Sequence, residues 1–259
     1  MKNLINETIK KLPLVCLTAY TKPIAQLVDS FADIILVGDS LGPVLYGFDS
    51  TRRVNLDMMI IHGKAVCENS HIANVIVDLP FGTYENSEKK AYDNAKKLID
   101  RTGACGVKLE GGKKIAPIIK YLVKKNIHVM GHIGMLPQSV KKQKDYKVFG
   151  RLVDDHKKIF EDLAFIEEAG AFSVVIEATK KNLASQVAKK ATIPTIGIGA
   201  SNDCSGQILV TEDLIGMTDF EAKFIKKYCN ARKDIGLALK KYKEDVKSGK
   251  FPSLKFCYK

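Results

Sequence analysis

Residues 35–42 read "ILVGDSLG", an apolar run that ends abruptly in a glycine, an aspartate and a serine. Seven other short apolar runs are spread along the chain, and most are separated by longer amphipathic stretches. The eight runs are "LVCLTA" (14–19), "DIILVG" (33–38), "NVIVDL" (74–79), "CGVKLE" (105–110), "IHVMGH" (127–132), "FSVVIEA" (172–178), "PTIGIG" (194–199) and "QILV" (207–210). Helical character is predicted at 22–31, 55–69, 87–102, 112–125, 152–169 and 180–190. Near-continuous Val and Ile runs between helices predict parallel strands covered by a helical layer.

Eight such units in 259 residues match the size of a (β/α)8 TIM barrel, which makes the predicted fold class α/β. A doubly wound open sheet is the alternative. That fold usually has a glycine-rich phosphate turn after its first strand, whereas "AYTKPIA" (19–25) contains no glycine. The segment "GIGASN" (197–202) lacks the third glycine of a dinucleotide fingerprint, and the chain has no P-loop motif. The sequence therefore favours the barrel and gives no support for nucleotide binding.

The predicted organisation is a single barrel domain over residues 1–259. Residues 218–247 read as a helix after the last strand, and residues 218–259 form a C-terminal helical extension in this interpretation. The extension could cap the barrel or join a subunit interface. No linker rich in Gly, Pro or Ser divides the chain, which favours one domain.

Composition limits the classes of function. The formal net charge is +12, but the lysine pairs are dispersed along the chain, as on solvated helix faces. Since no basic element interleaved with aromatic residues is present, nucleic acid is not expected as a partner. Six cysteines without a C-x-x-C spacing indicate reduced thiols. No segment approaches the ~20 apolar residues of a membrane span, and no signal peptide is recognisable, so a cytoplasmic location without a membrane partner is expected.

Polar residues stand where the predicted strands end. In a TIM barrel the catalytic groups come from the C-terminal ends of the strands. The residues at these ends are Asp39, Asp78, Lys108, Glu110, His132 and Glu177. Lys108 and Glu110 are two residues apart on one strand and therefore share a face. Any one acid could instead be a helix N-cap or a turn residue, but their convergence on one rim favours a functional site.

Several carboxylates without a nearby cysteine or paired histidine form an oxygen-rich pocket that selects Mg²⁺ over zinc. Magnesium commonly takes one or two protein carboxylates and leaves positions for substrate oxygens. A 2-oxo acid would fill those positions by chelation. A remaining carboxylate could act as a base, and the metal would stabilise the enolate formed next to the carbonyl.

Nine stretches in chain order closely resemble the ketopantoate hydroxymethyltransferase family, also called 3-methyl-2-oxobutanoate hydroxymethyltransferases. They are "TAY" (18–20), "ILVGDSLG" (35–42), "DST" (49–51), "DLPFGTY" (78–84), "VKLEGG" (107–112), "GHIGMLPQSV" (131–140), "YKVFGR" (146–151), "IPTIGIGA" (193–200) and "GQILV" (206–210). The resemblance implies a barrel of the phosphoenolpyruvate/pyruvate superfamily. It also implies transfer of a one-carbon unit from 5,10-methylenetetrahydrofolate to 3-methyl-2-oxobutanoate, which gives 2-dehydropantoate for pantothenate and coenzyme A synthesis.

The same resemblance assigns roles by position. The implied metal ligands are Asp39 and Asp78, with Glu110 completing the Mg²⁺ site directly or through water. The implied contacts to the oxo acid are Asp39, Ser40, Asp78 and Lys108, with His132 lining the same pocket. Glu177 would be the general base that removes the C3 proton. The family commonly forms a homo-oligomer, a decamer of two pentameric rings.

The chain departs from the family pattern at Thr21, Arg52, Arg53, Phe149, Ser201 and Ser205. None of these is a proposed metal ligand or the base, so the expected effect is on contacts to the folate donor or on loop conformation. The nearest alternative function is an Mg²⁺-dependent lyase of the isocitrate lyase or phosphoenolpyruvate mutase type. Those enzymes usually carry a "KKCGH"-like loop, which this sequence lacks.

Overall fold

The computed structural model describes residues 5, 7–10 and 12–258, apart from the side chain of Gln143. Its eight strands form one closed, all-parallel barrel in chain order, and β8 pairs with β1. The strands are β1 (Leu14–Thr18), β2 (Ile34–Val37), β3 (Asn74–Asp78), β4 (Gly106–Lys108), β5 (Val129–Gly134), β6 (Ser173–Glu177), β7 (Thr195–Ile198) and β8 (Gly206–Leu209). All eight lie within the predicted runs or within two residues of them, so the TIM-barrel prediction is confirmed.

Six helices lie where the sequence predicts them and connect successive strands. The α-helices after β1 are α1 (Lys22–Val28), α2 (Leu41–Tyr46), α3 (Leu56–Cys67), α4 (Glu88–Thr102), α5 (Ala116–Lys124), α6 (Val153–Glu168), α7 (Lys181–Lys190), α8 (Thr211–Leu214) and α9 (Ala231–Lys247). The six at predicted positions are α1 and α3 to α7. Their ends follow local chemistry: Ser87 accepts a hydrogen bond from Lys90 N at the start of α4, and Gly103 ends that helix at φ 81°. The sequence did not predict α2 and α8. No helix among the described residues is long and apolar enough to span a membrane.

Strand alternation divides the apolar residues into two sets. On β2, Ile35 and Val37 belong to the larger cluster that packs between strands and helices. Ile34 and Leu36 belong to a smaller cluster, which also takes Ile76 of β3. Because side chains alternate across a strand, the smaller cluster is the filling of the barrel interior. Every second residue therefore points inward along each strand, up to its carboxyl end.

The chain divides into two compact units, residues 1–210 and residues 211–259. In the second unit the predicted helix over 218–247 is wrong for residues 218–230, which form no regular helix. The backbone N–H groups of Tyr228 and Ala231 donate to the carbonyls of Leu214 and Ile215, each at 2.9 Å, and so are not available for helical bonds. Asn230 then caps α9 by accepting from Lys233 N at 3.1 Å. The single-domain assignment stays a prediction.

Candidate active site

At the carboxyl ends of the strands, the positions that point into the barrel are occupied by polar residues. Ile76 and Asp78 alternate with outward Val77 on β3, and Val175 and Glu177 alternate with outward Ile176 on β6. Lys108 on β4 and His132 on β5 also point into the barrel, above the apolar layer. Asp39, Asp78, Lys108, Glu110 and His132 are each no more than 5% exposed. Ionisable side chains are rarely buried this deeply unless they are paired or bind a ligand.

Asp39 and Asp78 face each other across neighbouring strand ends. The backbone N–H of Asp39 donates to Asp78 Oδ2 at 3.0 Å. A Cβ at Gly38 would lie only 2.8 Å from Ser40 Oγ, so a side chain at that position would displace the Ser40 hydroxyl, whereas its 3.5 Å distance to Asp78 Oδ2 is an ordinary contact. Lys108 Nζ lies 3.0 Å from Asp78 Oδ1, yet that buried oxygen accepts no well-directed hydrogen bond. Asp78 thus has one oxygen engaged by the backbone and one in an ion pair only.

Burial and mutual repulsion govern the charges of this cluster. Burial first, and then the charges of Asp78 and Glu110, raise the pKa of Asp39 well above its ordinary value. The pKa of Asp78 is also raised by burial, although the neighbouring Lys108 opposes the change. Burial alone would lower the pKa of Lys108, but the three surrounding carboxylates raise it above its ordinary value. Lys108 is therefore the cation that offsets the acid pair.

His132 lies between two carboxylates. Its Nδ1 is 3.5 Å from Glu110 Oε1, and its Nε2 is 3.2 Å from Glu177 Oε2. Burial and Lys108 both lower the pKa of His132, but its close contacts with the carboxylates of Glu110 and Glu177 outweigh them and raise it to about 9. The same histidine holds the pKa of Glu110 below its ordinary value against the effect of burial. Glu177 is the more open of the two acids, with 16% of its side chain exposed, against 3% for Glu110.

All seven predicted site residues lie at this end of the barrel, but the sequence missed four uncharged neighbours. The hydroxyl of Tyr20 lies 2.7 Å from Ser40 Oγ. Tyr84 and Gln138 are buried beside Glu110, and Tyr84 hydroxyl donates to Gln138 Oε1 at 2.7 Å. Tyr146 is half-buried, and burial, together with the charges of Glu177, Asp39 and Glu110, raises the pKa of its hydroxyl. Each of the four lies in a stretch that carried the family resemblance, and that was the available signal.

The departures from the family pattern have local partners. Arg52 stacks over the ring of Phe81 with its guanidinium carbon 3.8 Å from the centroid, and Arg53 lies 4.2 Å from the centroid of Phe48. The backbone N–H of Phe149 donates to Ala178 O at 2.8 Å. These contacts tie the substituted residues to loops next to the strand ends.

The remaining departures lie around helix α1 and between β7 and β8. Thr21 stands at the N-cap of α1 without a capping side-chain bond. Ser201 Oγ accepts from Asp203 N at 3.1 Å, and Ser205 N donates to Thr195 Oγ1 at the same distance. The two serines thus stabilise the connection between β7 and β8.

The donor set fits a hard divalent cation. Asp39 and Asp78 supply carboxylate oxygens, and Asp78 Oδ1 is a buried acceptor without a directed donor. Within the described part of the chain, no three His, Cys, Asp or Glu side chains converge at ligand spacing. An aspartate pair is nevertheless the usual protein share of a magnesium site. Glu110 is engaged otherwise, because its Oε2 accepts Gln138 N at 2.9 Å and its Oε1 faces His132.

Comparisons with known proteins agree with this reading of the fold. A family model described as ketopantoate hydroxymethyltransferase matches residues 1–254. The 3-methyl-2-oxobutanoate hydroxymethyltransferase of Phenylobacterium zucineum (strain HLK1) is 47% identical over 240 residues, which are 93% of this chain and 87% of that protein. The protein of the same name from Pelagibacter ubique (strain HTCC1062) is 48% identical over 248 residues, 96% of this chain and 95% of that protein.

Two solved structures share the fold at low sequence identity. A phosphonopyruvate hydrolase in complex with oxalate and Mg²⁺ gives a TM-score of 0.64 at 11% identity, covering 98% of this chain and 92% of that chain. A 2,3-dimethylmalate lyase, described as a member of the PEP mutase/isocitrate lyase superfamily, gives 0.63 at 14% identity, covering 97% and 86%.

Proposed function

Since the chain belongs to the ketopantoate hydroxymethyltransferase family, we propose that it converts 3-methyl-2-oxobutanoate to 2-dehydropantoate. The chain is an enzyme of the hydroxymethyltransferase class acting on small molecules. The one-carbon donor in this proposal is 5,10-methylenetetrahydrofolate. The observation that carries it is the buried cluster of Asp39, Asp78, Lys108, Glu110 and His132 at the carboxyl end of the barrel.

In this proposal Asp39 and Asp78 hold Mg²⁺, and Glu110 completes the site directly or through water. The ion, when bound, would polarise the carbonyl of the oxo acid and make the C3–H more acidic. Ser40 lies beside Gly38 and Tyr20 at the rim and offers its hydroxyl to the oxo acid. Lys108 supplies positive charge next to Asp78, where it can attract the substrate carboxylate or a developing enolate oxygen.

Glu177 is the proposed general base. It is only partly buried, so a substrate can reach it, and its Oε2 is held 3.2 Å from His132 Nε2. The raised pKa of His132 keeps its imidazole positively charged at neutral pH beside the carboxyl group of Glu177. Glu177 takes the proton from C3, and the resulting enolate forms a C–C bond to the methylene carbon of the donor. Both C–N bonds of that carbon break, one water supplies the hydroxyl oxygen of the product, and tetrahydrofolate leaves with the C3 proton and a water proton on its two nitrogens. His132 lines the same pocket and orients the base.

The direct test is product formation. Purified protein with 3-methyl-2-oxobutanoate, Mg²⁺ and methylenetetrahydrofolate should form 2-dehydropantoate, detected by mass spectrometry. Cleavage of a longer oxo or hydroxy acid in place of this product would identify the enzyme as a lyase and refute the proposal.

The base is tested separately by exchange of the C3 proton in deuterated water, which needs no one-carbon donor. Glu177→Gln should lower the exchange rate by a factor of about 100 or more while oxo-acid binding is retained. Glu161→Gln is the matched control, because Glu161 pairs with Lys113 on an exposed surface. Exchange at the wild-type rate in Glu177→Gln would show that another group is the base.

The assembly proposed from the family resemblance is a homo-oligomer, a decamer. Sedimentation velocity of the full chain tests it, and a monomer at micromolar concentration would refute it. A cytoplasmic location belongs to the same proposal.

A further inference from the structure

Gln138 connects three parts of the site from a position that the proposed chemistry does not use. It lies in a short 3-10 helix, Pro137–Ser139, directly after β5, and is 3% exposed. Its Nε2 donates to Asp39 Oδ2 at 2.8 Å and to Leu79 O at 3.0 Å. Its backbone N–H donates to Glu110 Oε2 at 2.9 Å. One residue thus bonds to two acids that lie 71 positions apart in the chain.

The orientation of the Gln138 amide is fixed by its neighbours. The carbonyl of Leu79 can only accept a hydrogen bond, so the amide nitrogen must face it. Tyr84 hydroxyl accepts from Glu110 N at 3.1 Å, and of the two acceptors within reach of its proton, Gln138 Oε1 at 2.7 Å is closer than Glu110 O at 3.2 Å. Both amide protons and one oxygen lone pair are therefore used. These hydrogen bonds hold the Gln138 side chain in one orientation.

The two aspartates share a pattern in which the protein engages one oxygen of each. Asp39 N binds Oδ2 of Asp78, and Gln138 binds Oδ2 of Asp39. The remaining oxygen of Asp78 has no directed donor. We infer that Gln138 is a positioning residue, which holds Asp39 Oδ2 so that Oδ1 is presented to a divalent cation. This inference rests on the proposed function for the identity of the site, but it concerns cation binding and can be tested without turnover.

No other side chain of similar size meets the three requirements. Leucine has the volume but leaves Asp39 Oδ2, Leu79 O and Tyr84 hydroxyl without their partner. Glutamate would place a further negative charge against Asp39. Asparagine is one methylene shorter and cannot reach the same acceptors from the same backbone. Loss of a group that orients a metal ligand typically lowers metal affinity by about 10- to 100-fold.

The experiment measures Mn²⁺ binding to the full chain by calorimetry and by the EPR signal of the free ion, without oxo acid or folate. Gln138→Leu should weaken Mn²⁺ binding by about 10- to 100-fold. Gln207→Leu is the matched control, since Gln207 also donates to a carbonyl, Ser201 O at 2.8 Å, but on β8 away from the acids. Its Mn²⁺ affinity should equal that of wild type. Thermal midpoints of both variants report any general loss of stability.

Two further variants keep the inference testable if Gln138→Leu does not fold. Gln138→Asn should lose affinity to a similar degree, because the shorter amide cannot reach Asp39. Tyr84→Phe removes only the support of Gln138 Oε1, and its loss should be smaller, below about tenfold. Variants that are less stable but bind Mn²⁺ as wild type does would show a merely structural role and overturn the inference.

The outcome is separable from that of the proposed function. A wild-type chain that binds Mn²⁺ but forms no 2-dehydropantoate would refute the activity, and weaker binding by Gln138→Leu would still support the positioning role. An active wild-type enzyme whose Gln138→Leu variant binds Mn²⁺ normally would refute the positioning role alone. Failure of the wild-type chain to bind Mn²⁺ would also overturn it.

Discussion

Replacing Lys108 with methionine removes the positive charge next to the two aspartates and keeps most of the side-chain volume. Lys108 and Asp78 are 3.0 Å apart, and their side chains are 5% and 2% exposed. In the absence of a metal ion the variant leaves three buried carboxylates, those of Asp39, Asp78 and Glu110, with only His132 as a compensating cation. Lys108→Met should therefore destabilise the metal-free protein strongly.

The size of the effect follows from the distance and the burial. Two unit charges at 3.0 Å attract each other by about 5.5 kcal/mol at an effective dielectric constant of 20. Much of that attraction offsets the cost of removing both charges from water. Removing Lys108 leaves the desolvation cost of the remaining carboxylates without this compensating attraction, and such variants lose about 3–5 kcal/mol. For a chain of this length the loss corresponds to a fall in melting temperature of about 6–20 °C.

The assay is thermal and urea unfolding with and without millimolar Mg²⁺. Added Mg²⁺ should raise the melting temperature of Lys108→Met more than that of wild type, because the ion restores positive charge among the carboxylates. Lys96→Met is the matched control: Lys96 pairs with Asp100 at 2.7 Å, but both side chains are more than half exposed. This control should melt with wild type. A Lys108→Met protein that melts within about 2 °C of wild type without Mg²⁺ would refute the reasoning.

Two further predictions concern the support of the barrel. Gly112→Ala should cost about 1–3 kcal/mol and lower kcat, because the new Cβ would lie 2.0 Å from Asp162 Cγ and force the loop after Glu110 to move; an unfolding midpoint and kcat equal to wild type would contradict this. Asp29 accepts three backbone N–H bonds from residues 71–73, which lower its pKa although burial opposes them. Its folded pKa lies below the unfolded one, so this stabilisation is complete above about pH 4 and is lost as the pH falls through the folded value. Asp29→Asn should therefore lose about 1–3 kcal/mol in urea unfolding at pH 7, and the difference from wild type should shrink below about pH 4; a pH-independent difference would contradict the charge-based explanation.

The sequence predicted the barrel because parallel strands buried on both faces read as continuous apolar runs. It predicted the charged members of the site because acids at strand ends stand out against those runs. Helix α2 was missed because "LGPVLY" reads as a loop, with a glycine and a proline. Pro43 is tolerated there because it lies in the first turn, where the backbone N–H has no helical partner.

Other features depend on tertiary contacts that a single sequence does not encode locally. Gln138 and Tyr84 are uncharged and have no periodicity, one lying in a single-turn 3-10 helix and the other in a loop, so their shared hydrogen bond became visible only in three dimensions. Residues 218–230 contain the apolar spacing of a helix, but the backbone N–H of Tyr228 donates to the carbonyl of Leu214, 14 residues earlier. In that segment a long-range hydrogen bond takes the place of the helical hydrogen bond that the apolar spacing predicts.

The charge balance explains why so many ionisable groups occupy one buried position. Four carboxylates, those of Asp39, Asp78, Glu110 and Glu177, meet two cations, Lys108 and His132. With every group ionised, the carboxylates exceed the cations by two negative charges, which is the charge that one divalent ion neutralises. Burial makes the unbalanced state costly, because the effective dielectric constant inside a protein is low. The same alternation that fills the barrel with Ile34, Leu36 and Ile76 therefore places above them an acidic layer whose excess charge one divalent cation would balance.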